Sequence, residues 1–190
     1  RLIIRAQQYP VYAEICLDDA IGFERVYLTD DLVYTVPEAD IHTCLSPRAF
    51  AGERHYLYAR AEDAWERSGY HCLSGNRYDQ EYEPGGKIGC YPHAFSNIET
   101  RSEAVFSARC AIDGLKIGND HEKWPYTSWG LDICEKDPYW QLDFGRPVVL
   151  DRIRIWLRSD FPHDNWWKTL RSCFEDGTCR QLAMEKTGRC

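Results

Sequence analysis

Hydrophobic and polar residues alternate in short runs through the first 36 residues and again near residue 60. Alternation with a period of two is typical of β-strands that bury one face, and the Asp, Pro and Gly residues between the runs favour tight turns. The predicted strands are residues 2–6, 11–17, 24–28, 32–36 and 54–61. We predict a small β-rich domain over residues 1–63. Because so short a segment builds only a small core, we expect it to pack on its neighbour.

The same alternation returns between residues 140 and 157. It predicts one strand at residues 140–144, a turn at the Gly-Arg-Pro of residues 145–147, and a second strand at residues 148–157. Two strands joined by a short Gly/Pro turn indicate antiparallel β-structure. Three tryptophans are assigned to the core: Trp129, Trp140 and Trp156.

The region between these strands is less regular. Residues 64–100 are rich in Gly, Tyr and polar residues, which is typical of a long connection that wraps a domain. Residues 97–110 are expected to form a short helix or turn. The chain is therefore predicted to be mostly β-structure. It has no apolar run of the roughly 20 residues that a transmembrane helix needs.

Four motifs follow one another in the second half of the chain, and a Trp lies between the first two of them. They are Ala111-Ile112-Asp113-Gly114, residues 140–145, residues 153–158, and Phe174-Glu175-Asp176-Gly177, with Trp129 as the intervening residue. In this order they resemble the discoidin-like or galactose-binding-like domains, also known as coagulation-factor C-type domains or family-32 carbohydrate-binding modules. The resemblance implies an antiparallel β-sandwich over residues 64–190. Resembling domains continue with further strands after the last motif, so we expect either that this sandwich is truncated at its C-terminus or that its last strands are replaced.

The aromatic loop at residues 158–167 is similar to that of a bacterial subgroup of carbohydrate-binding proteins. The resemblance implies a non-catalytic carbohydrate-binding module that uses loops at one end of the sandwich. Sugar recognition needs an apolar platform for the ring and polar groups for its hydroxyls. Trp124, Tyr126 and Trp166 are the candidate platform. The candidate polar contacts are Arg158, Asp160, His163, Asp164 and Asn165.

Two alternatives use the same fold. One is a protein- or phospholipid-interaction domain, and the other is an ancillary domain of a glycoside hydrolase. Asp160 and Asp164 have the residue type of a glycosidase carboxylate pair. However, the sequence has no G-x-S-x-G, H-E-x-x-H or P-loop motif, so we do not predict an enzyme.

Metal binding is expected only in the form that the resemblance implies. In resembling domains the Asp-Gly turn often holds a structural Ca²⁺ through a carboxylate and backbone carbonyls. By that resemblance Asp113 would give its side chain, and Cys110 and Leu115 their carbonyls. The usual carboxylate from the C-terminal strand has no match here. Zinc is not expected, because Cys90 and His93 lack further ligands at compatible spacing.

The net charge bears on the class of ligand, and the cysteine content bears on the cellular compartment. A net charge of −7 and a pI near 5.4 argue against nucleic-acid binding, which needs a concentrated basic surface. The nine cysteines contain no C-x-x-C, and an odd number cannot pair completely within one chain. We therefore predict reduced thiols in a cytoplasmic protein. Because the sequence begins at Arg1, a removed leader and an extracellular location stay open.

Overall fold

The computed structural model describes residues 1–37, 44–69, 71–82, 85–120, 123–131, 137–157 and 166–185. Within these ranges the regular structure consists of ten strands, all paired antiparallel, and three short 3₁₀ turns, with no α-helix. None of the helical segments described is long and apolar enough to cross a membrane. The predicted all-β class is confirmed. The chain divides into two compact units, Arg1–Asp151 and Arg152–Cys190.

The alternating runs of the first 36 residues form four strands, as predicted, and the run near residue 60 forms a fifth. The first unit contains β1 Leu2–Ile4, β2 Val11–Cys16, β3 Glu24–Leu28, β4 Leu32–Tyr34, β5 Tyr58–Ala61, β6 Cys90–Tyr91, β7 His93–Ser96 and β8 Trp140–Asp143. The 3₁₀ turns lie at Thr100–Ser102, Ala104–Phe106 and Ala108–Ala111, within the region expected to form a short helix or turn.

A four-stranded sheet in the order β5-β2-β3-β6 is the largest of the first unit. Its inner face, represented by Ile15, Val26 and Leu28, packs in the main hydrophobic core together with Leu32 and Tyr78. Successive side chains of a strand point to opposite faces. The other face, which we call the outer face, therefore carries the alternate residues. They are Tyr12, Glu14 and Cys16 of β2, Arg25 and Tyr27 of β3, and Tyr58 and Arg60 of β5.

A second core lies beside the antiparallel pair of β7 and β8. Ala94, Ala108 and Ile112 are buried there, and Trp129 and Trp140 pack against them. The Trp140 indole N–H donates to the Ala108 carbonyl at 3.0 Å. Both tryptophans are half-buried, so the prediction that they contribute to a core is confirmed.

The second predicted strand of the Trp-rich region is wrong. Residues 148–157 are described, yet they are not a strand and no strand pairs with them in the described part of the chain. Val149 is 93% exposed and Trp156 is 53% exposed, so the assignment of Trp156 to the core is also wrong. The physical reason is that alternation shows only that every second side chain is apolar. A strand also needs a neighbouring strand that forms hydrogen bonds with its backbone N–H and C=O groups.

The division after Asp151 does not coincide with the boundary predicted after residue 63. The four-stranded sheet takes β2, β3 and β5 from before that boundary and β6 from after it. Backbone pairing therefore joins the two predicted domains into one sheet.

The second unit contains a hairpin of β9 Thr169–Cys173 and β10 Cys179–Ala183. The Phe174-Glu175-Asp176-Gly177 motif forms its turn, where Gly177 has φ = +82°, a conformation that favours glycine. Asp176 accepts the Thr178 N–H at 2.8 Å and so fixes the turn.

Cys173 and Cys179 face each other in this hairpin and form a disulfide. The prediction of reduced thiols is therefore wrong for this pair. It is confirmed for the five free cysteines of the described ranges, which are Cys16, Cys44, Cys72, Cys90 and Cys110. A disulfide favours an oxidising compartment, which is the opposite of the predicted cytoplasmic setting.

Candidate functional site

Part of the predicted sugar site lies in the loop that follows the Asp113-Gly114 turn. Trp124 and Tyr126 are both half-buried there. The Asn119 side-chain amide donates to the Trp124 carbonyl at 3.1 Å, and the Thr127 hydroxyl donates to Asp113 at 2.6 Å. These bonds tie the backbone at Trp124 and the side chain of Thr127 to neighbouring residues of the loop.

Asp113 already has partners in this loop. Its other carboxylate oxygen accepts the Leu115 N–H at 2.8 Å, and burial raises the pKa of the carboxyl. Among the described residues there is no group of three His, Cys, Asp or Glu side chains that could hold a metal ion. Asp113 thus meets only a small part of the six to eight oxygen ligands that Ca²⁺ requires. The calcium set of Asp113, Cys110 and Leu115 stays a prediction, and nothing below depends on it.

The remaining predicted contacts lie outside the described residues or in the second unit. Arg158, Asp160, His163, Asp164 and Asn165 lie outside the described residues. Trp166 belongs to the second unit and is 38% exposed, while Trp167 beside it is half-buried. The sequence left open which of the two points outward, and the more exposed of them is Trp166.

A second candidate site lies on the outer face of the four-stranded sheet. A shallow, open depression of about 240 Å³ lies there, and we call it the outer-face cavity. Strand register builds its floor, because Glu14 pairs with Arg25 on one side and with Arg60 on the other. The residues that line it are Glu14, Arg25, Arg60, Glu62, Trp65 and Glu66.

Ion pairs fix the charged side chains of the outer-face cavity. Arg60 donates to the two carboxylate oxygens of Glu66 at 2.7 and 2.6 Å and to Glu14 at 3.1 Å. The Arg60 guanidinium lowers the pKa of Glu66 to about 2. Arg25 binds Glu62 through two N–H groups, one of them at 2.8 Å, and also donates to the Glu66 carbonyl at 2.7 Å. Each guanidinium is therefore held in one orientation by planar, charge-assisted bonds.

Trp65 lies at the rim of the outer-face cavity and is 80% exposed. It sits in a turn that is closed by two backbone bonds, from Glu66 to the Asp63 carbonyl and from Ser68 to the Trp65 carbonyl, both at 3.1 Å. The Glu66 carboxylate also accepts the Asp63 N–H at 2.9 Å. The turn places a large apolar ring in solvent directly beside fixed guanidinium and carboxylate groups.

The Tyr12 end of the outer face is covered by arginines. The guanidinium groups of Arg67 and Arg146 lie 5.3 and 4.9 Å from the centre of the Tyr12 ring. Arg146 also lies 5.1 Å from the Tyr27 ring and donates to the Tyr12 hydroxyl at 2.6 Å. Each cation–π contact contributes about 0.5–1 kcal/mol at exposed sites. This end of the face is therefore closed by side chains of the protein itself.

Sequence reasoning missed the outer-face cavity. The available signal was one charged residue on each of β2 and β5, Glu14 and Arg60, together with a Trp in the short polar segment after β5. What local sequence does not reveal is the register that brings Arg60 beside Glu14, since Arg60 lies 46 residues further along the chain.

Comparisons of this chain with protein-family models, curated proteins and solved structures found no match.

Proposed function

We propose that this protein is a non-catalytic carbohydrate-binding module and that a sugar binds at the outer-face cavity. The observation that carries the proposal is Trp65, an exposed ring at the rim of a cavity lined by fixed polar groups. An aromatic face suits the C–H face of a sugar ring, and guanidinium and carboxylate groups suit its hydroxyls. Large exposed rings beside ordered polar side chains favour recognition of a small ligand over a purely structural role.

The hydrogen-bonding capacity of the cavity supports the proposal. A guanidinium has five N–H donors, and Arg60 uses three of them on Glu14 and Glu66, so two remain. A carboxylate oxygen accepts more than one hydrogen bond, so Glu14 and Glu66 keep acceptor capacity as well. A sugar hydroxyl both donates and accepts, which matches a site that offers both kinds of group.

The charges of the cavity favour a neutral ligand. Two arginines and three glutamates line it, and each arginine is paired with at least one glutamate. Such a site attracts neither a polyanion nor a polycation strongly. A neutral sugar fits this balance better than a phospholipid headgroup or a nucleic acid.

The loop residues predicted from the sequence give a competing location for the same function. Trp166 is the residue of that set with an exposed ring in the described structure. A protein-interaction domain is the alternative function, and it predicts no affinity for free sugars. A glycan array distinguishes sugar binding from protein interaction, and two tryptophan variants distinguish the two locations.

The test is a glycan array on the parent chain, followed by titration of the best-bound glycan into Trp65→Ala and Trp166→Ala. Trp65→Ala is expected to weaken binding about tenfold or more, because the ring loses roughly 1.5–3 kcal/mol of burial. Trp166→Ala is the matched control and should bind as the parent does. Loss of binding in Trp166→Ala alone would move the site to the loops. Absence of any bound glycan would leave the protein-interaction reading.

A further inference from the structure

We propose that the ligand of the outer face is an oligosaccharide of several rings, and that Phe23, Tyr56 and Tyr58 form a second ring-binding subsite beside the outer-face cavity. This inference rests on the proposed function, since it assigns the size of the sugar that the same face binds. We call these three residues the aromatic cluster.

The aromatic cluster continues the outer face along the strand direction. Tyr58 and Arg60 are two residues apart on β5, so both point to the outer face, about 7 Å apart. The strand register places Cys16 opposite Tyr58, as it places Glu14 opposite Arg60. The cluster therefore begins one pair of residues beyond the floor of the cavity, at the end opposite to the arginine-covered Tyr12.

The rings of the aromatic cluster are ordered and accessible. Tyr56 and Tyr58 are nearly parallel, with an interplanar angle of 8° and ring centres 6.5 Å apart. Phe23 meets both edge-on, with ring centres 6.2 Å from Tyr56 and 5.5 Å from Tyr58. Phe23 is 50% exposed and Tyr56 is 51% exposed. Mutual packing holds the rings, while half of the surface of these two stays available to a ligand.

The composition of the surface identifies the occupant as a neutral sugar chain. Two of the three rings carry hydroxyl groups, so the cluster offers polar edges as well as apolar faces. The adjoining cavity offers paired charges that balance almost completely. A chain of sugar rings presents the same combination of C–H faces and hydroxyls at regular intervals. With the Tyr12 end closed by Arg67 and Arg146, the open direction for such a chain runs from Trp65 towards the aromatic cluster.

The test is calorimetric titration of galacto-, manno-, xylo- and cello-oligosaccharides of one to six rings. In the parent chain the affinity for the series that binds is expected to rise about tenfold between one ring and three or four. That factor corresponds to about 1.4 kcal/mol, which the burial of one side of an aromatic ring provides. Phe23→Ala and Tyr56→Ala should lose this rise and keep the affinity for the single ring.

Two variants control the test. Leu57→Ala removes an exposed apolar side chain between two members of the cluster, and it should keep the dependence on chain length. Tyr56→Phe keeps the ring and should restore most of the rise. Melting curves establish that each variant is folded, which is expected because the replaced side chains are half-exposed.

The outcomes separate the two proposals. Binding that does not strengthen with chain length, or a rise that persists in both Phe23→Ala and Tyr56→Ala, overturns the second subsite and leaves the proposed function intact. If no oligosaccharide of any length binds the parent chain, the proposed function fails and the subsite fails with it.

Discussion

Replacing Asp79 by Ala is expected to destabilise the first unit strongly. The Asp79 side chain is fully buried and pairs with His93, whose ring Nδ1 lies 2.7 Å from one carboxylate oxygen. The other oxygen accepts the Ala94 backbone N–H at 2.9 Å. One carboxylate therefore joins the segment around residue 79 to β7 through two buried contacts.

The magnitude follows from what the substitution leaves behind. Asp79→Ala removes both acceptors at once, so the Ala94 N–H and the His93 ring lose their partners in a buried place. Breaking a buried, charge-assisted pair from one side costs about 3–5 kcal/mol. A domain of 150–250 residues loses about 2–4 °C of melting temperature per kcal/mol, which gives a decrease of roughly 6–20 °C. Asp79→Asn keeps one acceptor and should fall between the parent and Asp79→Ala.

Urea unfolding followed by tryptophan fluorescence, together with thermal melting, measures this loss. The matched control is Asp120→Ala, which removes the same side chain from an exposed ion pair with Lys123 at 2.9 Å. Exposed pairs contribute about 0–1 kcal/mol, so this variant should melt close to the parent. Equal decreases in melting temperature for Asp79→Ala and Asp120→Ala would refute the argument, because burial would then make no difference to how much an ion pair stabilises the protein.

Two further predictions concern titration and thiol access. The pKa of Glu66 is lowered to about 2 by Arg60, so the pair's contribution is complete above the ordinary glutamate pKa of 4.5 and is lost as the pH falls towards about 2. NMR titration of the carboxyl should find this low midpoint, and Arg60→Gln should return it towards 4.5; an unchanged midpoint would assign the shift to another group. A thiol reagent should label exposed Cys72 in the native protein, whereas Cys90 and Cys110, whose pKa values burial raises to about 12, should react only after denaturation. Rapid native labelling at Cys90 or Cys110, located by mass spectrometry, would contradict their burial.

Local alternation was sufficient to predict most of the strands. In β2 and β3 the inner residues such as Ile15 and Val26 are buried, and the outer ones except Cys16 are charged or aromatic, so the period of two is visible in the sequence. The Trp140 strand was predicted for the same reason, and its indole lies in the expected core. These elements are predictable because one face of each meets a core formed within the first unit.

Alternation failed where strand pairing decides the structure. Residues 148–157 have the same pattern as β8, yet Val149 and Trp156 are exposed, because a pattern does not state whether a partner strand is available. The Cys173–Cys179 disulfide was missed on similar grounds. The two residues are six apart, and only the hairpin register brings their side chains together.

The outer-face cavity shows why a proposed binding surface is harder to predict than the sheet that carries it. Its floor depends on Arg60 lying beside Glu14, a pairing across 46 residues that a shift by one position would abolish. Its rim depends on a turn that Glu66 stabilises through its bonds to Arg60 and to the Asp63 N–H. The same carboxylate thus orients the guanidinium and holds the turn that carries Trp65. Because these groups are ordered before any ligand arrives, a bound sugar would lose little free energy in arranging them, and this is the condition under which few contacts give useful affinity.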